Sequence, residues 1–530
     1  MHGSKISSYL SFLLTLFCLG IFVFISTFNI QTPGLYYDEA LFVNAASGGV
    51  TDLFVYKRFA GIPTMLMPYI GALKSWLYFP IFTLFGIDIV TIRLPAILLG
   101  ALALGLTWRY VHQQFGVLPA TLFVMMASVE PSVIFHSRLD WGPTALMMVL
   151  RGGLLLSLTT WIQSGDKRYL ILSLICAALG VFDKLNFIWI VTAVFASALL
   201  VYPERFFPGT TSHRRKIVLW FGFGSVIFFI LAAYFNPFNI NLFKEIGFLD
   251  FGNRTSSFLS LLKDTIQGVG VYKFVIKGEH PSFSQHALIL GLITFVGLCG
   301  LVIGLRSGKL NIRSLMFLAL VIFFICFQLF FTKRATGPHH FATLAPLWLI
   351  FIAVGLSGAI EALQERFKTL ILPAVFLLMA SLIITSIRLD IAYLSGFNNQ
   401  IISRHWDPAA SVLLTSALED QQDIKVVVAV DWGLATNVQA LSDNRLKVID
   451  LWSLFNDQLT NDQLSWIRTE FIDKGAAFVL HAKDRETFPN TRLRFLEALK
   501  NNDWPLRHTL TIHTADGQPY VEVYRPFAIQ

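Results

Sequence analysis

"TMLMPYIGALKSWLYFPIFTLFG", residues 64–86, is apolar enough and long enough to cross a bilayer, and whether it crosses sets the sidedness of everything before it. Lys74 stands in mid-run, with Pro68 and Pro80 on either side. A charge near a bilayer centre is costly and proline interrupts a helix. The run therefore reads as a segment lying along the membrane surface.

The chain around it is a membrane protein. Of its 530 residues, 55% are hydrophobic, and the mean hydropathy is +0.62. Those values exclude an ordinary soluble protein and a disordered chain. Helices are the default in lipid, because backbone polar groups must be satisfied within the segment. Spans are expected at 9–29, 92–111, 117–135, 142–162, 169–183, 186–202, 217–235, 286–305, 314–332, 342–362 and 370–388. The first is longer than a signal-peptide core and no small-residue cleavage site follows, so it reads as a retained span. Cys18, Cys176, Cys299 and Cys326 all lie in apolar runs, which gives neither a disulfide framework nor a metal-ligand spacing.

The net charge of +8 follows from short basic loops that orient the spans, not from a nucleic-acid surface. The most basic loop, "SHRRK" with Arg214, Arg215 and Lys216, is placed in the cytoplasm. Counting from it puts Asp140 and everything after the last span on the outer face. If 64–86 does not cross, Asp38 is also outside and Lys5 is inside. Arg93 then falls outside, against the charge rule, and a phosphate ligand would account for it. After residue 390 the pattern changes. "IKVVVAVDWG", "LKVIDLW", "AAFVLHA" and "YVEVYRP" read as short strands, with helices near 407–420, 461–473 and 491–501. Two domains are expected: a membrane part, 1–390, and a small extracytoplasmic α/β domain, 391–530. The intervening stretch 236–285 reads as a long outward loop, with Asn253, Arg254 and His280, able to order over a ligand. "DWG" recurs at 140–142 and 431–433, which reads as chance.

Four charged clusters are expected on the outer face. "LYYDEALFVNAA" (35–46) carries Asp38 and Glu39, "FHSRLDWGPTAL" (135–146) carries His136, Arg138 and Asp140, and "ALGVFDKLNFIW" (178–189) carries Asp183 and Lys184. "FTKRATGPHHFATLAP" (331–346) carries Lys333, Arg334, His339 and His340. Asp38 and Glu39 alone also fit acids at the start of an interfacial helix, where they favour the macrodipole. Each cation alone also fits snorkelling at a span end. Together, acids beside cations point to a phosphate-bearing ligand next to a general base. Arg151, near mid-span, is expected to pair inside the bundle.

With these motifs in order, the chain resembles the GT-C glycosyltransferases. It is most similar in pattern to the family-39-like group that includes protein O-mannosyltransferases and the lipid A aminoarabinose transferase. The resemblance covers roughly 8–388. It rests on "YYDEALFVNAA", "FGIDIVTIRLPAILLGALAL", "HSRLDWGPTAL", "LGVFDKLNFIW" and "HHFATLAPLW". It implies about eleven spans plus juxtamembrane helices in the first outward loop, which agrees with a non-crossing 64–86. It also implies a polyprenyl-phosphate sugar donor, a lipid, glycan or protein acceptor, and inverting transfer on the extracytoplasmic face of a membrane, read as the bacterial plasma membrane. Carried over, Asp38 is the base with Glu39 beside it, Asp140 the second-loop acid and Lys184 the phosphate-holding lysine. Arg138, Arg93, Lys333, Arg334, His339 and His340 are further candidates for the donor phosphate. If a divalent metal takes part, Asp38 and Asp140 are its candidate ligands. Two departures stand out: Asp183 replaces the group's usual threonine before the lysine, and Lys57-Arg58 stand without the group's accompanying acid. Other readings are a lipid-linked glycan ligase or polymerase using a diphosphate donor, and a transporter or flippase. The last predicts repeat symmetry and paired broken helices, neither of which is visible in the sequence.

Overall fold

The computed structural model describes residues 2–206, 251–276, 284–308, 310–332, 337–398, 406–421, 423–488 and 490–527. The expected span 217–235, the "SHRRK" loop, His280, Lys333 and Arg334 lie outside them.

Among the described residues, six helical segments are long and apolar enough to cross a membrane. They are the apolar part of α1 (His2–Thr27), α5 (Ile89–Phe115), α8 (Thr144–Ser164), α14 (Ser284–Arg306), α15 (Ile312–Phe331) and the second half of α17 (Leu347–Asn398). The intervening elements fill in the bundle. The expected span 117–135 is two helices, α6 (Val117–Ala127) and α7 (Pro131–Arg138), bent by 60°. Pro131 starts the second helix where its missing N–H costs nothing. α9 (Lys167–Asp183) and α10 (Ile188–Val201) are shorter, and α11 (Pro203–Phe206) is a single turn. The runs expected at 342–362 and 370–388 form one long helix, α17, broken at Phe367, where the backbone leaves helical geometry. α14 and α17 touch backbone to backbone. A Cβ on Gly300 would run into the Gly355 carbonyl oxygen, and one on Gly355 into that of Gly297, so glycine is what allows the approach.

Between α1 and α5 the first loop builds α2 (Tyr37–Ala40) and α3 (Val43–Ala46). A three-stranded antiparallel sheet follows: β1 (Lys57–Phe59), β2 (Ile62–Met67) and β3 (Ile70–Gly71). Then comes α4 (Leu73–Phe85), 13 residues long. The run 64–86 is thus part strand and part helix, and 13 helical residues reach only about 20 Å, short of a hydrocarbon core. α4 buries Lys74, Ser75 and Tyr78 and exposes Trp76, Leu77, Phe79, Leu84 and Phe85. An apolar face of that kind suits a membrane interface. Within 236–285, the described part is helical: α12 (Phe251–Ile266) and α13 (Val269–Ile276). A two-histidine turn, α16 (Pro338–Phe341), precedes α17.

Three buried arginines tie off the non-helical backbone at the helix ends. Arg151 donates to the carbonyls of Ala342, Thr343 and Ala345 at 3.3, 2.6 and 2.5 Å, where the chain is unwound before α17. Irregular backbone inside a bundle needs such internal partners.

Residues 408–526 form a five-stranded sheet with helices on both faces. The strands are β4 (Val426–Ala429), β5 (Lys447–Asp450), β6 (Ala477–His481), β7 (Leu506–His513) and β8 (Pro519–Pro526), in the order β5-β4-β6-β8-β7. β4 pairs in parallel with β5 and β6, while β8 runs antiparallel to β6 and β7. Val427 and Ala429 face α18 (Pro408–Glu419) and α19 (Leu434–Leu441). Val428 and Val430 face the layer that holds α20 (Trp452–Phe455), α21 (Asn461–Ile467) and α22 (Thr491–Asn501). A strand buried on both faces reads as a continuous apolar run, which is why "VVVAV" shows no alternation.

Candidate active site

Three of the four expected clusters converge where α2, the α7–α8 turn, the α9–α10 turn and α16 meet. The described part of the fourth, His339 and His340, joins them. Lys184 is the hub. Asp38, Asp140, Asp183, Lys74, His136, His339 and His340 all lie within its electrostatic reach. Lys184 follows the last residue of α9 in extended conformation and bridges to Ile70, so its side chain leaves the helix towards the loops. It is buried, and among the described residues its ammonium has one weak acceptor, the Trp141 carbonyl at 3.4 Å. An ammonium carries three donors, so Lys184 keeps spare ones. Burial pushes it below its ordinary value, while the three aspartates hold it up.

The other described cations near it, Lys74, Arg93 and Arg138, are engaged within the fold. Lys74 donates to Asp140 Oδ2 at 2.8 Å and to the Gly142 carbonyl at 3.0 Å, with its ammonium 4.0 Å from the Phe42 ring centre. Arg93 donates from Nε and Nη2 to Glu39 at 2.6 and 2.9 Å. Its remaining donors go to the carbonyls of Ile30, Pro33 and Gly34. Arg138 donates to the carbonyls of Ser26, Phe28, Asn29 and Thr32 at 2.6–2.8 Å. Neither arginine is solvent-accessible. Arg93 and Arg138, both read from the sequence as phosphate ligands, instead act inside the fold, where they fix the chain between α1 and α2. Glu39 acts with them, and at 1% exposure with both oxygens on Arg93 it does not face the cluster.

Asp38 is placed differently. It is partly exposed at the cluster. Burial of its carboxyl raises its pKa to about 6, against the opposing pull of Lys184 and the Tyr36 hydroxyl. That value is suited to a base near neutral pH. Its main chain is fixed to the second motif, since its carbonyl accepts the Gly142 N–H at 3.2 Å. Asp140 has both oxygens engaged, one by Lys74 and the other by the Ala145 N–H at 2.9 Å. Burial raises it and Lys74 opposes the rise.

The histidines form the remaining wall. The His339 and His340 rings are 4.0 Å apart, and His339 lies 5.3 Å from Trp141. Burial, with Lys184 beside them, lowers both, His340 to about 3, so both are neutral. His340 Nδ1 accepts the Gly337 N–H, which leaves its Nε2 as the donor. His136 faces the same cluster, with its Nδ1 bonded to the Ser132 carbonyl at 2.6 Å. Among the described residues no three His, Cys, Asp or Glu side chains converge as a metal cage. Of the pair read as possible metal ligands, Asp38 and Asp140, the latter has its oxygens on Lys74 and the Ala145 N–H.

Lys74 is the site residue that the sequence reading did not select. The available signal was its cost: a charge inside an apolar run requires a buried counter-charge, and Asp140 is that group.

The architecture is that of a multi-pass membrane protein with the GT-C fold. Residues 71–234 match the family model described as dolichyl-phosphate-mannose-protein mannosyltransferase. Two solved structures of ArnT from Cupriavidus metallidurans superpose over 96% of this chain and 97% of theirs. The apo state gives a TM-score of 0.58 at 15% identity, and the undecaprenyl-phosphate-bound state 0.55 at 14%. The Archaeoglobus fulgidus oligosaccharyltransferase, solved in complex with Zn and sulfate, matches at TM-score 0.50 and 14% identity over 88% of this chain and 68% of that one. No curated protein matches in sequence. The chain resembles the GT-C glycosyltransferases in motif order and shares their fold.

Proposed function

We propose that the protein is an integral-membrane glycosyltransferase. It moves a sugar from a polyprenyl-phosphate donor to an acceptor hydroxyl on the extracytoplasmic face, with inversion. One observation carries the reading. Asp38, whose pKa is raised to about 6, lies within the electrostatic reach of Lys184, which among the described cluster cations has donors to spare. Asp38 takes the proton of the acceptor hydroxyl as its oxygen attacks the anomeric carbon. The bond from that carbon to the phosphate oxygen breaks, and the electron pair leaves with the polyprenyl phosphate. A phosphate leaving group needs charge stabilisation more than a general acid. Lys184 supplies it, with the neutral His339 and His340 as donors beside it. Asp140 serves by holding Lys74 and the α7–α8 turn. The undecaprenyl phosphate named for the ArnT structure supports a lipid phosphate of this class. The sheet at 408–526 lies on the same side as the site and is assigned to the extracytoplasmic face with it.

The test is transfer of label from a polyprenyl-monophosphate sugar by the purified protein in liposomes. Asp38→Asn and Lys184→Ala are each expected to abolish it. Undiminished transfer by Asp38→Asn removes the base assignment.

A further inference from the structure

The element that carries Asp38 is a single helical turn of four residues, too short to hold itself. It is held from two sides. On the membrane side, Glu39 is fixed by Arg93, and the Asp38 carbonyl by Gly142. On the other side, contacts come from residues 406–450. The Gly34 N–H donates to the Trp406 carbonyl at 2.5 Å, and Asn437 Nδ2 donates to the Leu35 carbonyl at 2.8 Å. The Tyr36 ring stacks on Trp141 at 5.0 Å and 12°, and Trp406 and Trp432 close its other sides at 5.1 and 5.5 Å. Its hydroxyl reaches Asp38 itself. Tyr37 packs on Trp432 at 4.7 Å and donates its hydroxyl to Asp450 Oδ2 at 2.7 Å.

The contacts from Trp432 and Asp450 come from one end of the sheet. Asp450 ends β5 and Trp432 follows β4. β4 lies between β5 and β6, so its two parallel neighbours are reached by connections leaving in opposite directions. In open α/β sheets, the crevice at the carboxyl ends of strands at such a reversal is where ligands bind. Here Tyr36 and Tyr37 pack on Trp432, which follows β4, and Tyr37 bonds to Asp450 at the end of β5. Below Trp432, Asp431 pairs with His481 at the end of β6 at 2.7 Å, both side chains 1% exposed. Asp431 also accepts the Trp432 N–H at 2.8 Å. The tryptophan is thus pinned to two strands at once. The two Asp-Trp-Gly triplets, a chance match by sequence, place Trp141 and Trp432 against the same ring of Tyr36.

We propose that the C-terminal sheet uses its carboxyl-edge crevice to position the Asp38 turn, with Asp450 and Trp432 as positioning residues acting through Tyr37 and Tyr36. This rests on the reading of Asp38 as the base. A base must stay within hydrogen-bond reach of the proton it takes, and small displacements of a reacting group cost rate steeply. The sheet touches no reacting atom, so its loss lowers turnover and leaves donor binding at Lys184 intact.

The experiment uses the full-length protein in liposomes, with Tyr37→Phe and Asp450→Ala made singly and together. Each single variant is expected to lower kcat by roughly 10- to 100-fold at a donor KM within about twofold of wild type. The double variant is expected to be no worse than the poorer single one, because both remove the same contact. Asp450→Asn keeps an acceptor for the Tyr37 hydroxyl and is expected to lose less than Asp450→Ala. A second readout does not need activity. Labelling of Asp38 by a water-soluble carbodiimide across pH, read by mass spectrometry, is expected to show a midpoint near 6 in wild type and a lower one in the variants. Wild-type kcat and an unmoved labelling midpoint in Tyr37→Phe and Asp450→Ala overturn the proposal. So does an equal loss in all variants, Asp450→Asn included, that tracks a common fall in thermal midpoint. If wild type transfers no sugar but the labelling midpoint moves in the variants, the glycosyltransferase reading fails and the positioning stands.

Discussion

Glu39→Gln separates a structural carboxylate from a chemical one. Glu39 and Arg93 form two hydrogen bonds at 2.6 and 2.9 Å, with both side chains at 1% exposure or less. Removing one partner of such a pair leaves a buried charge uncompensated, at a cost of about 3–5 kcal/mol. Glutamine keeps the volume and one acceptor, but its amide N–H₂ then faces the guanidinium and at least one arginine donor loses its acceptor. The cost of Glu39→Gln therefore belongs at the low end of that range and Glu39→Ala at the high end. Unfolding entropy near about 2.1 cal/mol/K per residue, over 530 residues, gives about 1.1 kcal/mol/K if the chain unfolds as one unit. The thermal midpoint should then fall by about 3–5 °C, and by more if the cooperative unit is smaller. Tryptophan fluorescence during heating in detergent measures it. Replacing both partners with apolar residues, Glu39→Leu with Arg93→Met, should recover much of the loss, because no unpaired charge remains. A Glu39→Gln protein with a wild-type midpoint and no turnover would refute this reasoning and make Glu39 a chemical participant.

Other outcomes follow from the same geometry. As a base, Asp38 works only when ionised, and burial has raised its pKa to about 6 in the free protein, so kcat/KM should fall about tenfold per pH unit below pH 6; a kcat/KM flat down to pH 5 contradicts the assignment. Lys184 opposes that rise, so Lys184→Met should move the carbodiimide-labelling midpoint of Asp38 above 6. Arg138→Lys should lower the thermal midpoint nearly as much as Arg138→Met, since one ammonium cannot span four carbonyls from Ser26 to Thr32; full retention by the lysine variant would mean that the guanidinium fork is not needed. Reporter fusions after residues 50 and 88 should give the same sidedness, because α4 is too short to cross between them.

The membrane helices were legible because a bilayer sets length and composition together. What the composition hides is where a long apolar run breaks. The 60° bend between α6 and α7 and the non-helical Phe367 inside α17 arise from packing, and neither leaves a periodic signal in the chain. In the C-terminal sheet the buried parallel strands were visible as apolar runs. β7 was missed because an edge strand with one face in solvent reads "LRHTLTIH", with His508, Thr509 and Thr511 breaking the pattern. Asp38, Asp140, Lys184 and the histidine pair are read onto one face by counting spans from the basic loop. Arg93 and Arg138 misled for a physical reason. A guanidinium that binds phosphate and one that ties off backbone carbonyls obey the same hydrogen-bond geometry, and only the fold tells them apart. Adjacent carboxylates at Asp38 and Glu39 had to point different ways, and the fold shows that Glu39 is the one turned inward.

The position of Lys184 between Asp38 and a lipid phosphate couples the two. Lys184 is the charged partner that pulls the Asp38 pKa down. A phosphate drawn to Lys184 brings negative charge towards Asp38 and offsets that pull, so donor binding should raise the pKa of the base and strengthen it. Linkage is reciprocal: a proton on Asp38 must then strengthen phosphate binding by the same factor. Affinity for polyprenyl phosphate is therefore expected to fall as the pH rises through about 6. In Asp38→Asn, which carries no charge to repel the phosphate, it should be tighter, without the fall linked to Asp38 across that window. Binding of a fluorescent polyprenyl phosphate to the protein in detergent between pH 5 and 8 measures both. The phosphate's own second ionisation falls in the same range and strengthens binding as the pH rises, so the comparison that decides is wild type against Asp38→Asn. Parallel pH profiles for the two proteins would show that the base and the phosphate do not share Lys184.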